Sequence, residues 1–591
     1  MAAAAIGIVT VDASLGQVMQ CVSVTPGSSP VPGVGQVSSL GKFSSDDGRF
    51  VVFYGTADLA GGNPAMGLPL VRDRLLGVTE GVSFDLSGAL VGADFASGIS
   101  ADGRYVAFTT NNQNMVSGYT SWWADVFLRD RLTATTELIS VSSTGVQSDA
   151  HCTSPYVSAD GRYVSFETQA STLVPGDTNG FFDIYVRDRL LGTTERVSVS
   201  STGAEGNDHS WGSVISGDGR YVAFMSWATT LVPGDTNGLT DVFVRDRLLG
   251  TTERVSLASD GSQGDAESYL GGISTDGSRV GFASSATNFA AGFAGGFNQA
   301  YIRNLALGTT ALVSVATDGT PGNGYCWVRG LSADGRFALF SSDGSNLSFP
   351  PPPTPYQLYV RDMQNGVTTL ASTSSSGGFA NSVSDYGSIS ADGRYVVLMS
   401  YASDLVPGDT NGSPDVFIKD RFATGATSLC DPGQGGVIAC PCGNPPAGSG
   451  RGCENSSSTG GASLRAEGNA YLSQDSLSFI AQSETPHATS LLLQGTAPLP
   501  SGAVFGQGVR CAGGQMKRLF VKLASSGVIT APDFSAGDPA ISVRLSQLGT
   551  PIDCGAPHLY LVYYRDPVVL GGCPASSTFN STQTCSIGWW P

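Results

Sequence analysis

Ser158-Ala159-Asp160-Gly161-Arg162-Tyr163-Val164-Ser165-Phe166 decides the fold. Ser-x-Asp-Gly is a tight-turn sequence whose glycine supplies positive φ, and the residues after it alternate as a strand does. The turn recurs with glycines at Gly48, Gly103, Gly161, Gly219, Gly277, Gly335 and Gly393; the first interval is 55 residues and the other five are 58. A fixed period of this size marks one supersecondary unit copied and stacked, because a single unit cannot bury both its faces alone.

Residues 156–200 show the whole unit. Tyr156-Val157-Ser158 leads into the turn, and in the next strand Tyr163 points to one face while Val164 and Phe166 point to the other. Asp183-Ile184-Tyr185-Val186-Arg187-Asp188 is a third strand, apolar on both faces. Leu190-Leu191-Gly192 turns the chain into Glu195–Ser200, which alternates apolar with polar as a half-exposed outer edge does. Four antiparallel strands with a two-sided interior describe one propeller blade.

The Ser-x-Asp-Gly-Arg turn and the Asp-Val-Phe-Val-Arg-Asp third strand recur together, the latter at Asp125–Asp130, Asp183–Asp188, Asp241–Asp246 and Asp415–Asp420. In both, the unit resembles the TolB-like, WD-type β-propeller repeat, over about residues 40–425. The fifth unit departs from it at Ser278-Arg279 and Arg303-Asn304. The first lacks the leading Asp of the third strand and reads Leu70-Val71-Arg72-Asp73. The resemblance implies a seven-bladed β-propeller. It leaves the function open, since members of that family include periplasmic scaffolds, binding modules and gating domains of peptidases.

At 591 residues, with abundant Gly, Ser and Thr and only four lysines (Lys42, Lys419, Lys517, Lys522), the chain reads as all-β and as two or more domains. A net charge of −18 with no basic stripe argues against nucleic acid. No apolar run reaches the ~18 residues of a membrane span. The start, Met1–Val9, has no basic n-region and reads as the remnant of a signal peptide or a shortened start. Cys21, Cys152 and Cys326 lie in the repeats, and eight more follow: Cys430, Cys440, Cys442, Cys453, Cys511, Cys554, Cys573 and Cys585. An even set in a Gly/Pro-rich stretch predicts disulfides, of open pairing, and a secreted or cell-surface location. Disulfides outweigh a zinc site at Cys440-Pro441-Cys442 with Cys453 for the same reason. Cys152 and Cys326, too far apart around a ring to bridge, read as buried thiols or inter-chain links.

Residues 8–24 resemble the third and fourth strands of a unit. The seventh unit already carries Asp415–Asp420 and a candidate fourth strand, Ala426–Cys430, so this amino-terminal hairpin counts as one half-blade too many. It either closes the ring beside the seventh blade or pairs with a neighbouring molecule. The expected plan is a half-blade (1–25), a propeller (26–426), a Cys/Gly/Pro-rich linker (427–461) and a small disulfide-bonded β-sandwich (462–591). The sandwich strands are placed at Ser476–Ile480, Ser490–Gln494, Arg518–Leu523, Ile541–Leu545 and His558–Tyr564. No family resemblance extends to that module.

Three units insert Pro-Gly-Asp-Thr-Asn-Gly-x-x-Asp between strands two and three: Asp177/Asn179/Asp183, Asp235/Asn237/Asp241 and Asp409/Asn411/Asp415. Oxygen ligands spaced along a glycine bend resemble a loop for structural Ca²⁺, the single cofactor expected, although the distal bidentate acid is missing. The alternative is an Asx-type turn whose last Asp caps the strand. In the same loop of the second unit, Trp122-Trp123 either stack on a sugar or pack on a neighbouring loop. Four scattered histidines (His151, His209, His487, His558) and the lack of a Gly-x-Ser-x-Gly elbow give no catalytic constellation. The resulting expectation is a non-enzymatic structural or adhesive protein whose partner is itself, in a filament or surface assembly. The alternatives are a monomeric propeller binding a glycan or peptide and, after that, a propeller lyase or hydrolase.

Overall fold

Strands that are apolar on both faces bury them only if their sheets stack face to face. The computed structural model of the protein contains seven four-stranded antiparallel sheets among the described residues. Those residues are 18–589 apart from 25–33, 39, 61–66, 94–97, 291–295, 349–350, 375–377, 422–426, 429, 431, 434–435, 449–450, 468–469, 471–474, 476, 553–556 and 569–577. Two compact units divide the chain, Met19–Asp420 and the remainder, Met1–Val18 with Arg421–Pro591.

We number the sheets of the first unit I (strands within 35–81), II (98–138), III (152–196), IV (210–254), V (268–312), VI (326–370) and VII. Sheet III is the type: Cys152–Val157, Tyr163–Thr168, Asp183–Asp188 and Thr193–Arg196, paired in chain order. First strands from successive sheets meet around a central axis. A Cβ added to Gly271 in sheet V would fall 2.4 Å from Val328 Cβ in sheet VI, so only glycine allows that approach. The tight turns form a belt at one end of the ring. Ala101 donates its N–H to Ala159 O (2.8 Å), Ala159 to Gly217 O (3.0 Å) and Gly217 to Thr275 O (2.8 Å). Gly161 needs its glycine twice over, for φ +73° and because a Cβ would lie 2.1 Å from Tyr105 Cδ2 of sheet II.

The recurring Arg and Asp of the repeat are one device. Arg162 forks onto Asp188, Nε to Oδ1 at 3.0 Å and Nη2 to Oδ2 at 2.7 Å, tying the turn to the end of the third strand. The same pair recurs as Arg49–Asp73, Arg104–Asp130, Arg220–Asp246, Arg336–Asp362 and Arg394–Asp420. In sheet V both partners are exchanged together, for Ser278 and Asn304, so no buried charge is left alone. Sheets are also sewn to one another. Thr194 donates its hydroxyl to Val141 O, and its N–H reaches Ser143 Oγ at 2.9 Å. Thr194→Val keeps the shape and strands that carbonyl, so chemical denaturation should show a loss of about 1 kcal/mol.

Sheet VII corrects the strand count. It comprises Ser384–Ile389, Tyr395–Ser400, Asp415–Asp420 and, as its fourth strand, Val18–Cys21. The strand expected at Ala426–Cys430 is not part of it; Thr427–Ser428 pairs with Ser586 and Cys585 in the other unit. Cys430 is bonded to Cys511 there, which ties this stretch to the second unit. The amino-terminal strand is therefore not surplus: Cys21-Val22-Ser23-Val24 repeats the register of Arg196-Val197-Ser198-Val199. Val22 donates to Val416 O at 2.7 Å, and Ser23 Oγ donates to Asp415 Oδ1 at 2.5 Å, as Ser198 does to Asp183. The rest of the expected half-blade, residues 1–17, lies outside the described residues.

The second unit is a β-sandwich. A six-stranded sheet runs Thr427–Ser428, Cys585–Gly588, Pro557–Arg565, Thr489–Gly495, Lys517–Leu523, with Phe579–Ser581 also beside Pro557–Arg565. A three-stranded sheet (Ser463–Glu467, Ser478–Gln482, Ile529–Ala531) faces it, and Phe479 and Tyr560 meet across the layers at 4.6 Å. Ala497–Phe505 and Gly508–Gly513 form a two-stranded ribbon. Ile541–Leu545, expected as a strand, is an α-helix, Ile541–Gln547. Its apolar residues alternate in sequence, but Ile541 and Leu545 lie one helical turn apart and both are buried. The Asp475 carboxylate accepts the Ser542 N–H at 2.6 Å, satisfying an open donor at the helix start. Cys440–Cys453 is a second disulfide, and Cys442 is also disulfide-bonded. Cys585, counted among the bridged eight, is instead a buried free thiol set against Leu464 O, while Cys554 and Cys573 lie outside the described residues.

Candidate binding face

Opposite the belt of turns, the strand-two-to-three loops and the starts of the first strands open the ring to solvent. Aromatic residues gather there. Trp211, Tyr269 and Trp327 each stand second in the first strand of sheets IV, V and VI, spaced 58 residues apart. Trp211 packs on Trp227 with centroids 4.5 Å apart, and Tyr269 on Trp327 at 5.5 Å. Trp227 stays 45% exposed, and its indole N–H is held by Thr240 Oγ1 at 2.8 Å. The expected pair Trp122-Trp123 lies on the same end. Trp123 rests edge-on against His151 at 4.8 Å, whereas Trp122 is 81% exposed. The arc at the mouth had a signal in the sequence, namely the repeat register itself, which brings three aromatics from three units to one position.

Beside Trp211 is a cavity of about 300 Å³ lined by Leu40, Ser154, Tyr156, Glu167, Trp211 and Met225, among others. Glu167 accepts the Thr153 hydroxyl at 3.1 Å, the Ser154 hydroxyl at 2.9 Å and the Gly212 N–H at 2.6 Å. Deeper along the axis Lys42 pairs with Asp46 at 2.5 Å, and Arg329 reaches back to Asp385, at the mouth register of sheet VII, at 2.7 Å. Gly271 and Gly272 of sheet V and Gly330 of sheet VI line a cavity of about 50 Å³ there.

The three acidic loops differ in how their carboxylates are neutralised. In sheet III Arg196 lies between Asp177 (3.1 Å) and Asp183 (3.2 Å), with Asn179 donating to Asp183 at 2.9 Å. In sheet IV Arg254 lies between Asp235 (3.6 Å) and Asp241 (3.1 Å), and Asn237 donates to Gly264 O. A guanidinium thus stands where the calcium reading puts an ion, and each motif is an Asx-type turn at its asparagine. In sheet VII the residue at the arginine's place is Cys21. Asn411 and Ser23 donate to Asp415, and burial raises both Asp409 and Asp415, the latter to about 6. No group of three or more His, Cys, Asp or Glu spaced to hold a metal occurs among the described residues. Cys152 and Cys326 are buried free thiols, hydrogen-bonded to Ser148 and Ser342 and pushed up to about 12 by burial.

Stacked four-stranded sheets around a narrow axis make the first unit a β-propeller, similar in its repeats to TolB. Among solved structures, a putative TolB from Agrobacterium tumefaciens is 17% identical, with a TM-score of 0.29 over 48% of this chain and 81% of that one. The β-propeller domain of the Trilobed protease from Pyrococcus furiosus is 12% identical, with a TM-score of 0.39 over 65% and 95%. The GH74 xyloglucanase from Xanthomonas campestris is 10% identical, with a TM-score of 0.36 over 71% and 58%. No family model and no curated protein matches the chain.

Proposed function

We propose that the protein is a non-enzymatic, extracytoplasmic adhesive propeller that holds a glycan across the open end of its ring. The observation that carries this reading is the arc of Trp211, Tyr269 and Trp327. Side chains from three sheets converge on one mouth, partly exposed, with flat faces suited to the apolar faces of sugar rings. Disulfides in the second unit favour an oxidising compartment. Assembly by strand exchange has less support, because the strand it would donate, Val18–Cys21, completes sheet VII of its own ring.

The test is binding to a panel of neutral plant, fungal and bacterial oligosaccharides by calorimetry. At least one class should bind, and Trp327→Ala should weaken it about tenfold, or 1.4 kcal/mol, without moving the melting midpoint. No binding across the panel, or an unaffected affinity in Trp327→Ala, rejects the reading.

A further inference from the structure

The cavity beside Trp211 has a chemistry of its own. Its lining contains one carboxylate, Glu167, and no lysine or arginine. The three donors that fix Glu167 are neutral hydroxyls and a backbone N–H, so its negative charge is positioned but not cancelled by them. By contrast, the other charged groups around the axis are matched in pairs, Lys42 with Asp46 and Arg329 with Asp385. Trp211, backed by Trp227, supplies an aromatic wall, and Met225 adds a polarisable thioether. At about 300 Å³ the space is at the small end for a ligand site and suits one ring with its substituents. An anionic group beside an aromatic face selects a cation carried on an apolar frame, since both attract positive charge and the frame fills the remainder.

We propose that this cavity is a subsite for a protonated amino sugar, with its ammonium toward Glu167 and its ring on Trp211. The proposal rests on the glycan reading above and sharpens it to a class of residue. It predicts that short β-linked glucosamine oligomers bind at mildly acidic pH about tenfold or more tighter than the same oligomers with acetylated amines. Added salt should erode that preference, because the distinguishing contact is ionic.

Calorimetry with both oligomers on the full-length protein is the test, using wild type, Glu167→Gln and Trp211→Ala. Glu167→Gln should abolish the preference, and an unchanged melting midpoint reports that the mouth is folded. Trp211→Ala should weaken both ligands. Equal affinity of wild type for the two oligomers, or a preference that survives Glu167→Gln, overturns the amino-sugar subsite and leaves the glycan reading standing. If neither oligomer binds but lysine-bearing peptides do, both readings fall.

Discussion

Removal of residues 1–24 is expected to abolish the cooperative unfolding transition of the propeller rather than leave a folded ring. Val18–Cys21 is the outer strand of sheet VII, and the residues after it do much of the closing. Val22 is fully buried and Val24 nearly so; each such side chain contributes about 1.5–3 kcal/mol on burial. The Val22 N–H to Val416 O bond and the two bonds between Ser23 Oγ and the Asp415–Val416 segment add about 1 kcal/mol each. The loss is therefore of order 6–9 kcal/mol, against a net stability of about 5–15 kcal/mol for a typical folded domain. Asp415 would also lose the hydroxyl that satisfies its buried carboxylate. Urea unfolding followed by tryptophan fluorescence is the measurement. A truncated protein that unfolds at the wild-type midpoint would show that ring closure does not depend on this strand.

That expectation follows from one of the two readings the sequence leaves open for this strand, closure of the ring rather than pairing with a neighbour. The sequence alone does not choose between them, and the reason lies in the short strands. The repeat turn, the two-sided second and third strands and the count of seven units are all legible, because Gly161 and its equivalents recur at a fixed interval. Which fourth strand completes sheet VII is not legible from pattern alone. Cys21-Val22-Ser23-Val24 and Thr427-Ser428-Leu429-Cys430 are both short and apolar, and the deciding factors are a serine aligned with Asp415 and a disulfide from Cys430 to Cys511. The paired exchange in sheet V, Ser278 with Asn304, looks like decay in the sequence and becomes sense only when Arg162 is seen forked on Asp188. The site was half visible. Trp122 and Trp123 stand out as neighbours in sequence, whereas Trp211, Tyr269 and Trp327 are neighbours only through the ring. Glu167 carries no sequence signal, since one glutamate in a strand reads as a solvent-facing residue. In the second unit, Ile541-Ser542-Val543-Arg544-Leu545 satisfies a strand pattern and a helix pattern alike, and burial of Ile541 with Leu545 selects the helix.

Cys21→Arg is expected to stabilise the propeller by about 2 kcal/mol at neutral pH, and the gain should vanish in acid. Sheets III and IV place Arg196 and Arg254 between two loop aspartates, while sheet VII has Cys21 at that register facing Asp409 and Asp415. On the pair's own elements the neighbouring groups are Asn411 from the loop and Ser23 and Cys21 from the closing strand, none of them cationic. From sheet I, the buried Arg72 lies close enough to interact with Cys21. Burial, with Asp409 close by, raises Asp415 from 3.8 to about 6 in the folded state. A carboxyl with a raised folded value holds its proton more tightly when folded. Its contribution to stability is complete below the unfolded value near 3.8 and is lost as pH rises through about 6. Proton binding that is about a hundredfold tighter in the folded state corresponds to about 3 kcal/mol, reduced to about 2 kcal/mol by solvent screening of a partly shielded group. An arginine at position 21 removes that penalty by giving the ionised pair a counter-charge. Other carboxylates, Asp188 and Asp246 among them, are shifted down by their arginines and destabilise the ring in acid, so the absolute stability of either protein is a poor readout. The difference between variant and wild type isolates the pair. It should be near zero below pH ~4, grow between about 4 and 6, and stay level above. Cys21→Ser, which removes the thiol without adding charge, should show no such pH-dependent gain. A Cys21→Arg advantage that is equal at both ends of the range, or absent at neutral pH, would mean that Asp409 and Asp415 are not an uncompensated pair at the closure of the ring.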